Sequence, residues 1–234
     1  MAKEIYIDFF CQIGLKVCYA IVDNISEINA FFSNIYPPEI ASEISPYETF
    51  RAIEYGLVVI LRDKSSSIIA CQYFIPYGFE IKISYAMRMG VRKDWEGKKI
   101  AINLYRLCTS EAIKHDCKRQ DSLISRNNIV MHNLLLNRIG AVYTNYITAK
   151  DNGIHDHFVS TVDLDYMQLY RTIDKKSFRN YIQHTSCLDY EIVDIEDIES
   201  IIKFLNIKNW SIVGFIRPNW LNNTTCYSFL FTLL

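Results

Sequence analysis

The sequence has almost no excess of charge of either sign. Its 25 Lys and Arg residues nearly balance 26 Asp and Glu residues, which gives a formal net charge of −1. A chain with so little net charge has no general attraction to nucleic acid or to an anionic membrane surface. Any site that binds an anion must therefore come from a local arrangement of residues, and we expect no nucleic-acid partner.

Long apolar runs and paired cysteines are also missing. No stretch reaches the roughly 18 apolar residues that a membrane-spanning helix needs. Asp8, Gln12 and Lys16 interrupt the apolar pattern at the N-terminus, so it does not resemble a secretory leader. The seven cysteines, an odd number, show no C-x-x-C spacing, which disfavours a fully paired disulfide framework. We expect a cytoplasmic protein with no membrane span.

Common catalytic and metal motifs are absent as well. No G-x-S-x-G nucleophile elbow occurs. His155 and His157 have the spacing of two ligands on one strand face, but no third ligand lies nearby in the sequence. His115, Asp116 and Cys117 fit the polar end of a helix better than a nucleophilic site. We therefore expect no metal and no covalent enzyme intermediate.

The composition that remains is that of a globular protein. Hydrophobic residues make up 50% of the chain and charged residues 22%, which is enough apolar material for a packed core. A chain of 234 residues forms one large domain, or one domain with a small appendage.

Hydrophobic periodicity predicts a mixture of strands and helices. A Pro37–Pro38 break separates the first two helices, and Lys64–Ser65–Ser66 joins a hairpin. We expect Asp194 to cap the last helix, and the apolar end of the chain to form a buried strand. The predicted strands are 16–22, 57–63, 67–75, 80–91, 121–126, 141–149 and 157–164, and the predicted helices are 25–36, 41–55, 98–115, 128–139, one or two within 166–184, and 194–205.

The most informative stretch is VRKDWEGKKIA, residues 91–101. There a predicted strand stops, turns through a glycine and two lysines, and opens a helix. The first amide groups of a helix have no intrahelical partner, and the helix dipole adds positive potential at the same end. This arrangement predicts a site for a pyrophosphate.

The same stretch resembles the acyl-CoA loop of the GCN5-related N-acetyltransferase family. That loop follows a strand ending in Val, and reads aromatic, then Arg/Gln-x-x-Gly-x-Gly/Ala. Val91, Trp95 and Gly97 fill matching places, and Lys98, Ile100 and Ala101 complete the motif. Glu96 stands where Arg or Gln is usual, and Lys99 stands where glycine is usual, although its backbone needs a conformation that glycine reaches more easily.

A second family signature, Asn-x-x-Ala-x-x-Leu-Tyr-Glu-Lys-Leu-Gly-Phe, is similar to residues 128–141. Asn128 and Gly140 take recognisable places, with one extra residue between them. Leu136 occupies the place of the Tyr that often protonates the departing thiolate. The usual general acid is therefore missing.

The resemblance covers residues 1–165 and implies a mixed, mostly antiparallel sheet flanked by helices, an α+β fold. Residues 166–234 would form a C-terminal extension packed on it. Implied donor-binding residues are Met89, Gly90, Val91, Glu96, Gly97, Lys98, Lys99, Ile100, Ala101 and Asn128. The nearest titratable candidates for acid–base roles are Glu80 and Tyr85, with His132 as a substitute acid one helical turn before Leu136.

The function that the resemblance implies is transfer of an acyl group, most simply acetyl, from acyl-CoA to a primary amine in a ternary complex. The basic residues at the loop, Arg88, Arg92, Lys93, Lys98 and Lys99, would serve the diphosphate and 3′-phosphate of that donor. Two alternatives stay open: a long-chain N-acyl amino acid or signal synthase of the same fold, and a catalytically silent binding module. A homodimer is also compatible with the sequence.

Overall fold

The computed structural model of the chain describes residues 2–77, 82–148, 156–164, 190–221 and 225–233. They form two compact units, an N-terminal unit (Met1–Gln120) and a C-terminal unit (Asp121–Leu234). The domain boundary predicted at residue 165 borders residues 165–189, which lie outside the described part, and it stays a prediction. The helices predicted within 166–184 lie outside it too.

The N-terminal unit contains an antiparallel sheet whose neighbouring strands follow one another in the chain, in the order β1-β2-β3-β4. The tight β2–β3 turn is stabilised by Asp63, whose side chain accepts hydrogen bonds from the amides of Ser65 and Ser67. This confirms the predicted hairpin. The strands are β1 (Lys16–Tyr19), β2 (Leu57–Arg62), β3 (Ile68–Tyr77) and β4 (Ile83–Val91).

Helices cover this sheet. Phe31 and Phe32 on α2 pack with Val58, Ile60 and Tyr73 of the strands into a buried cluster. An N-terminal helix, α1, packs against α5 and was not predicted from the sequence. The helices of this unit are α1 (Ala2–Gln12), α2 (Ile25–Ile35), α3 (Pro38–Ala41), α4 (Pro46–Tyr55) and α5 (Ile100–Lys114).

The C-terminal unit carries a second run of neighbouring strands, in the order β5-β7-β6-β9-β10-β8. The pairs β6–β7, β6–β9, β9–β10 and β8–β10 are antiparallel. The elements are β5 (Arg119–Ser125), α6 (Ile129–Leu134), a π-helical turn (Leu135–Ile139), β6 (Val142–Ile147), β7 (His157–Asp163), β8 (Tyr190–Asp194), α7 (Ile198–Leu205), β9 (Trp210–Ile216) and β10 (Ser228–Leu233).

Most predicted elements of both units are confirmed, including the β6–β7 pair and the C-terminal strand. The prediction that Asp194 caps the last helix is wrong. Asp194 ends β8, and Asp197 caps α7 by accepting a hydrogen bond from the amide of Ser200. The expected α+β class with mostly antiparallel strands is confirmed. Within the described ranges, no helix is both long enough and apolar enough to cross a membrane.

Candidate functional site

Along β4, the backbone N–H and C=O groups of alternate residues point away from β3. The Arg92 amide donates to the carbonyl of Ile69 at 2.8 Å, and Ala70 lies opposite Val91. In an antiparallel ladder, hydrogen-bonded pairs alternate with pairs that are not hydrogen-bonded. Val91 and Met89 therefore direct their N–H and C=O groups toward the edge of β4 that does not face β3. Met89 and Val91 are two of the donor-binding residues that the resemblance implies.

One extra residue forms a β-bulge in β4. The register passes from Gln72 opposite Met89 to Phe74 opposite Ala86, so two residues of β4 face one residue of β3. A bulge of this kind bends a strand and redirects side chains. The extra residue lies within Met87–Arg88, immediately before the predicted donor-binding residues.

The Arg88 side chain is held by carboxylates of the α4 region. Its Nε donates to Glu48 at 3.0 Å, and its guanidinium lies 3.8 Å from Glu43. Burial is the largest single influence and lowers the pKa of Arg88, but the hydrogen bond to Glu48 and the charges of Glu48 and Glu43 together leave that pKa raised. Arg88 is therefore a cation committed to α4, which takes it out of the predicted phosphate cluster.

The turn after β4 is internally paired. Arg92 makes two hydrogen bonds to Asp94, of 2.6 and 2.8 Å. The Lys98 ammonium lies 4.0 Å from the centre of the Trp95 ring, a cation–π distance. Of the predicted basic residues, Lys93, Lys98 and Lys99 are exposed to solvent.

The start of α5 has the geometry that the resemblance implies. Gly97 has a φ of +77°, and Lys99 has φ +60° and ψ +20°, the left-handed conformation. Ile100 is buried at 2% exposure and anchors the first turn, while Ala101 next to it is half-buried. No acidic residue lies in the first turn. The first amides of a helix have no intrahelical partner, so they can donate hydrogen bonds to an anion.

Gly90 lets β4 approach α2 closely. A Cβ built on Gly90 would lie 3.1 to 3.3 Å from side-chain carbons of Phe32, Ile35 and Phe31. Such a separation is tighter than ordinary van der Waals contact, so a side chain here would push β4 away from the helix. The last turns of α2 therefore pack closely against β4 at Gly90.

Comparison with known proteins identifies this architecture. No protein-family model and no curated protein matches the chain. Among solved structures, a chimera of the spermidine N-acetyltransferase SpeG from Vibrio cholerae and hSSAT is similar with a TM-score of 0.55 and 11% identity, over 67% of this chain and 99% of that one. A putative phosphinothricin N-acetyltransferase is similar with a TM-score of 0.52 and 17% identity, over 64% of this chain and 98% of that one. A GCN5-related N-acetyltransferase from Kribbella flavida is similar with a TM-score of 0.50 and 14% identity, over 64% of this chain and 98% of that one.

The chain has the GCN5-related N-acetyltransferase fold. Nearly the whole of each of these structures is matched, whereas about a third of this chain falls outside the 67% that aligns best. Identities of 11% to 17% mean that the likeness lies in the backbone arrangement. The fold that the sequence motif implied is thereby confirmed.

Tyr85 and Glu80 are the residues predicted for acid–base roles near the loop. Tyr85 is half-buried on β4 and stands opposite Ile75 of β3. Glu80 lies outside the described residues. Their roles as acid or base stay predictions.

His132, the predicted substitute acid, is completely buried in the C-terminal unit. Its Nε2 lies 2.8 Å from the carbonyl oxygen of Arg126, so Nε2 carries the proton. Its Nδ1 then accepts from the Tyr143 hydroxyl, also at 2.8 Å. Burial lowers the pKa of His132 to about 4. A neutral imidazole with both nitrogens engaged is poorly suited to donate a proton to a thiolate.

The second sequence signature forms α6 and the π-helical turn. Asn128 is exposed, and its side chain accepts from the amide of Met131 at 3.1 Å, which makes it the N-cap of α6. A π-turn accommodates one residue more than an α-turn, which explains the extra residue between Asn128 and Gly140. Leu136 is buried at 0% exposure. Binding of the donor by Asn128 stays a prediction.

The sequence analysis missed Tyr36 and Glu48, the side chains that contact β4 at its bulge. Neither belongs to a motif, and the periodicity of α4 marks Glu48 only as a polar position. His157 belongs to no metal-binding cluster, since no group of three or more His, Cys, Asp or Glu residues suited to a metal ion occurs in the described part of the chain. His155 lies outside that part.

Proposed function

We propose that this protein is an acyl-CoA-dependent N-acyltransferase, most simply an N-acetyltransferase, which acts on a primary amine. The observation that carries the proposal is the left-handed turn at Gly97 and Lys99, which opens α5 directly after β4 with its first amides unpaired. That turn lies within a GCN5-related fold, whose solved examples are named as N-acetyltransferases.

The donor's diphosphate would bind at Gly97–Ala101. The amides of the first turn of α5 supply hydrogen bonds, and the 15-residue helix supplies a favourable dipole. Lys98 and Lys99, both exposed, add positive charge beside the anion. Their charge also offsets the exposed carboxylate of Glu96.

The thioester would lie along Met89–Val91. Pantetheine can bind as an extended strand does, through hydrogen bonds to the backbone groups of Met89 and Val91 that point away from β3. One of these N–H groups would stabilise the oxyanion that forms on the thioester carbonyl. This role follows from the directions of the Met89 and Val91 backbone groups.

The proposed reaction is a direct transfer. The neutral amine nitrogen attacks the thioester carbon, the carbon–sulfur bond breaks, and the amide bond forms. The attacking nitrogen loses one proton, and the CoA thiolate gains one. Since a free alkylammonium has a pKa near about 10.4, a base or a water chain must remove its proton before attack. We retain Tyr85 and Glu80 as candidates for that base, and water as the acid in place of the missing Tyr.

A charge placed at the start of α5 tests the proposal. Ala101→Glu puts a carboxylate in the first helical turn, where the dipole favours it, so the fold should be retained. The same carboxylate repels the diphosphate, and we expect CoA affinity measured by calorimetry to fall at least tenfold. Ile113→Glu adds an equal charge near the other end of α5, at an exposed site, and should leave CoA affinity unchanged.

Wild-type protein that binds no CoA would refute the proposal, and tight binding to a protein partner instead would favour a silent binding module. Equal CoA affinity of the Ala101→Glu and Ile113→Glu variants would show that the diphosphate binds elsewhere. A thiol-release assay with acetyl-CoA and long-chain acyl-CoA, each with a panel of primary amines, determines the acyl length and the acceptor. A long-chain preference would support the synthase alternative.

We also propose a reducing, cytoplasmic location. The cysteines in the described part of the chain, Cys11, Cys18, Cys71, Cys108, Cys117 and Cys226, are all free, which supports this. A homodimer stays a proposal, which light scattering tests against the monomer mass of 27.4 kDa.

A further inference from the structure

Tyr36, just after the end of α2, reaches across to the donor-binding edge of β4. Its hydroxyl donates a 2.8 Å hydrogen bond to the carbonyl oxygen of Met89, 53 residues further along the chain. Met89 is one of the residues whose backbone groups point away from β3. Tyr36 is thus a side chain bound directly to the edge on which the thioester is proposed to lie.

The hydrogen bond controls one particular peptide unit. The carbonyl of Met89 and the amide of Gly90 belong to the same rigid plane. Gly90 lies opposite Cys71 in the alternating ladder, at a position where its amide faces β3. The plane is therefore held at both ends, by β3 on one side and by Tyr36 on the other.

The Tyr36 ring cannot easily move. It stacks on Phe32 with a centroid distance of 5.4 Å and an interplanar angle of 5°. Phe32 is fully buried and also lies against Gly90. Burial raises the pKa of Tyr36 to about 12, so the phenol stays protonated and remains a donor at neutral pH.

We propose that Tyr36 is a positioning residue for the acyl donor: its hydroxyl fixes the Met89–Gly90 peptide, so that the backbone groups of β4 that point away from β3 are preorganised for the thioester. The inference rests on the proposed function. It assigns Tyr36 no contact with substrate, so its effect passes through the backbone of β4.

The chain supplies a matched control in Tyr73. This tyrosine also packs on Phe32, at 5.3 Å, and it is fully buried. Its hydroxyl pairs with Thr49 at 2.7 Å and so bonds to α4, leaving the β4 backbone untouched. Tyr36→Phe and Tyr73→Phe therefore each remove one buried hydroxyl beside the same ring, and only the first releases β4.

The test compares the two variants with wild type in acetyl-CoA kinetics and in amide hydrogen exchange. Tyr36→Phe should lower kcat/KM for acetyl-CoA about tenfold, the equivalent of one strong hydrogen bond. It should leave KM for the amine within twofold and speed exchange of the Gly90 amide. Tyr73→Phe should change kcat/KM by less than twofold and leave that amide protected.

Three results would overturn the proposal: an unchanged or higher kcat/KM for Tyr36→Phe, equal losses in the two variants, or unchanged exchange at Gly90. The exchange measurement needs no activity, so it tests the anchoring of the peptide even if the proposed function fails. A wild-type protein without CoA affinity refutes the proposed function itself, and with it the role of Tyr36 toward a donor.

Discussion

A buried histidine illustrates how far a residue's environment can change its chemistry. His132 is surrounded by aromatic rings, with Phe158 at 5.5 Å, Phe229 at 5.2 Å and Phe215 at 5.7 Å between centroids. The sequence places it one helical turn before Leu136 and says nothing of this surrounding cluster. Desolvation of the charged form is the dominant cause of its lowered pKa.

We predict that His132 makes folding sensitive to acid. Its pKa falls from about 6.5 in the unfolded chain to about 4 in the folded protein, so the unfolded state binds the proton more tightly. The stabilisation is fully present above pH 6.5 and is lost as pH falls toward 4, by about 3 kcal/mol in total. Urea denaturation at a series of pH values measures it.

The double variant His132→Leu with Tyr143→Phe is the control for this prediction. It removes both partners of the buried hydrogen bond, so neither is left unpaired. Carboxylates titrate in the same window, and the quantity of interest is therefore the difference between wild type and the double variant. Parallel curves for the two proteins from pH 7 to pH 4 would contradict the prediction.

Lys99 is the opposite case, because the local motif was sufficient to predict its backbone conformation. The motif needs a left-handed conformation at this position, and Lys99 adopts it with a φ of +60°. Few side chains reach this region without strain. That the chain uses Lys here, against this preference, fits the added charge proposed for the diphosphate.

At the scale of elements, the π-helical turn joins two parts of the C-terminal unit. Asn137 is fully buried in this turn. Its side-chain nitrogen donates to the carbonyl of Phe215 at 2.7 Å, and its oxygen accepts from the amide of Phe215 at 3.0 Å. The amide side chain thus pairs with β9 as a neighbouring strand would.

We predict that Asn137→Ala lowers the free energy of unfolding by about 2–4 kcal/mol, because it leaves two buried backbone groups of Phe215 without partners. Chemical denaturation checks this value. Asn133→Ala is the matched control, since the half-buried Asn133 contacts only the Asn137 side chain among these groups, at 3.2 Å. It should cost less than 1 kcal/mol, and equal losses would show that the β9 pairing contributes little.

The elements themselves were largely readable from the sequence. Runs rich in β-forming residues, bounded by turn residues, located β2, β3, β6 and β7, because both signals depend only on near neighbours in the chain. The helix α1 and the strands β8 and β9 were missed. Strand β9 (Trp210–Ile216) is buried along most of its length, and such a strand does not alternate between apolar and polar residues.

For the whole molecule, the near-zero net charge means that ligand preference depends on local cations. Of the basic residues near the loop, Arg88 and Arg92 are engaged by carboxylates. The exposed lysines form too small a group to follow a nucleic-acid backbone, and this stretch of sequence lacks the broad interleaving of basic and aromatic residues that such surfaces use.

We therefore predict that the protein binds CoA more tightly than a single-stranded oligonucleotide at matched ionic strength. Calorimetry with CoA and fluorescence anisotropy with a labelled oligonucleotide supply the two dissociation constants. Lys98→Gln with Lys99→Gln should weaken CoA binding and make it less sensitive to salt. Tighter binding of the oligonucleotide would reverse the assignment of this loop.

The sequence by itself determined the strand–turn–helix at residues 91–101 and the existence of most elements, because backbone preferences and helix-end chemistry act between near neighbours. Only the tertiary structure decided that His132 is buried and neutral, that Arg88 belongs to Glu48, and that Tyr36 binds Met89. These contacts join residues far apart in the chain. They depend on how helices pack on the sheet and on one bulge in β4, which no local pattern specifies.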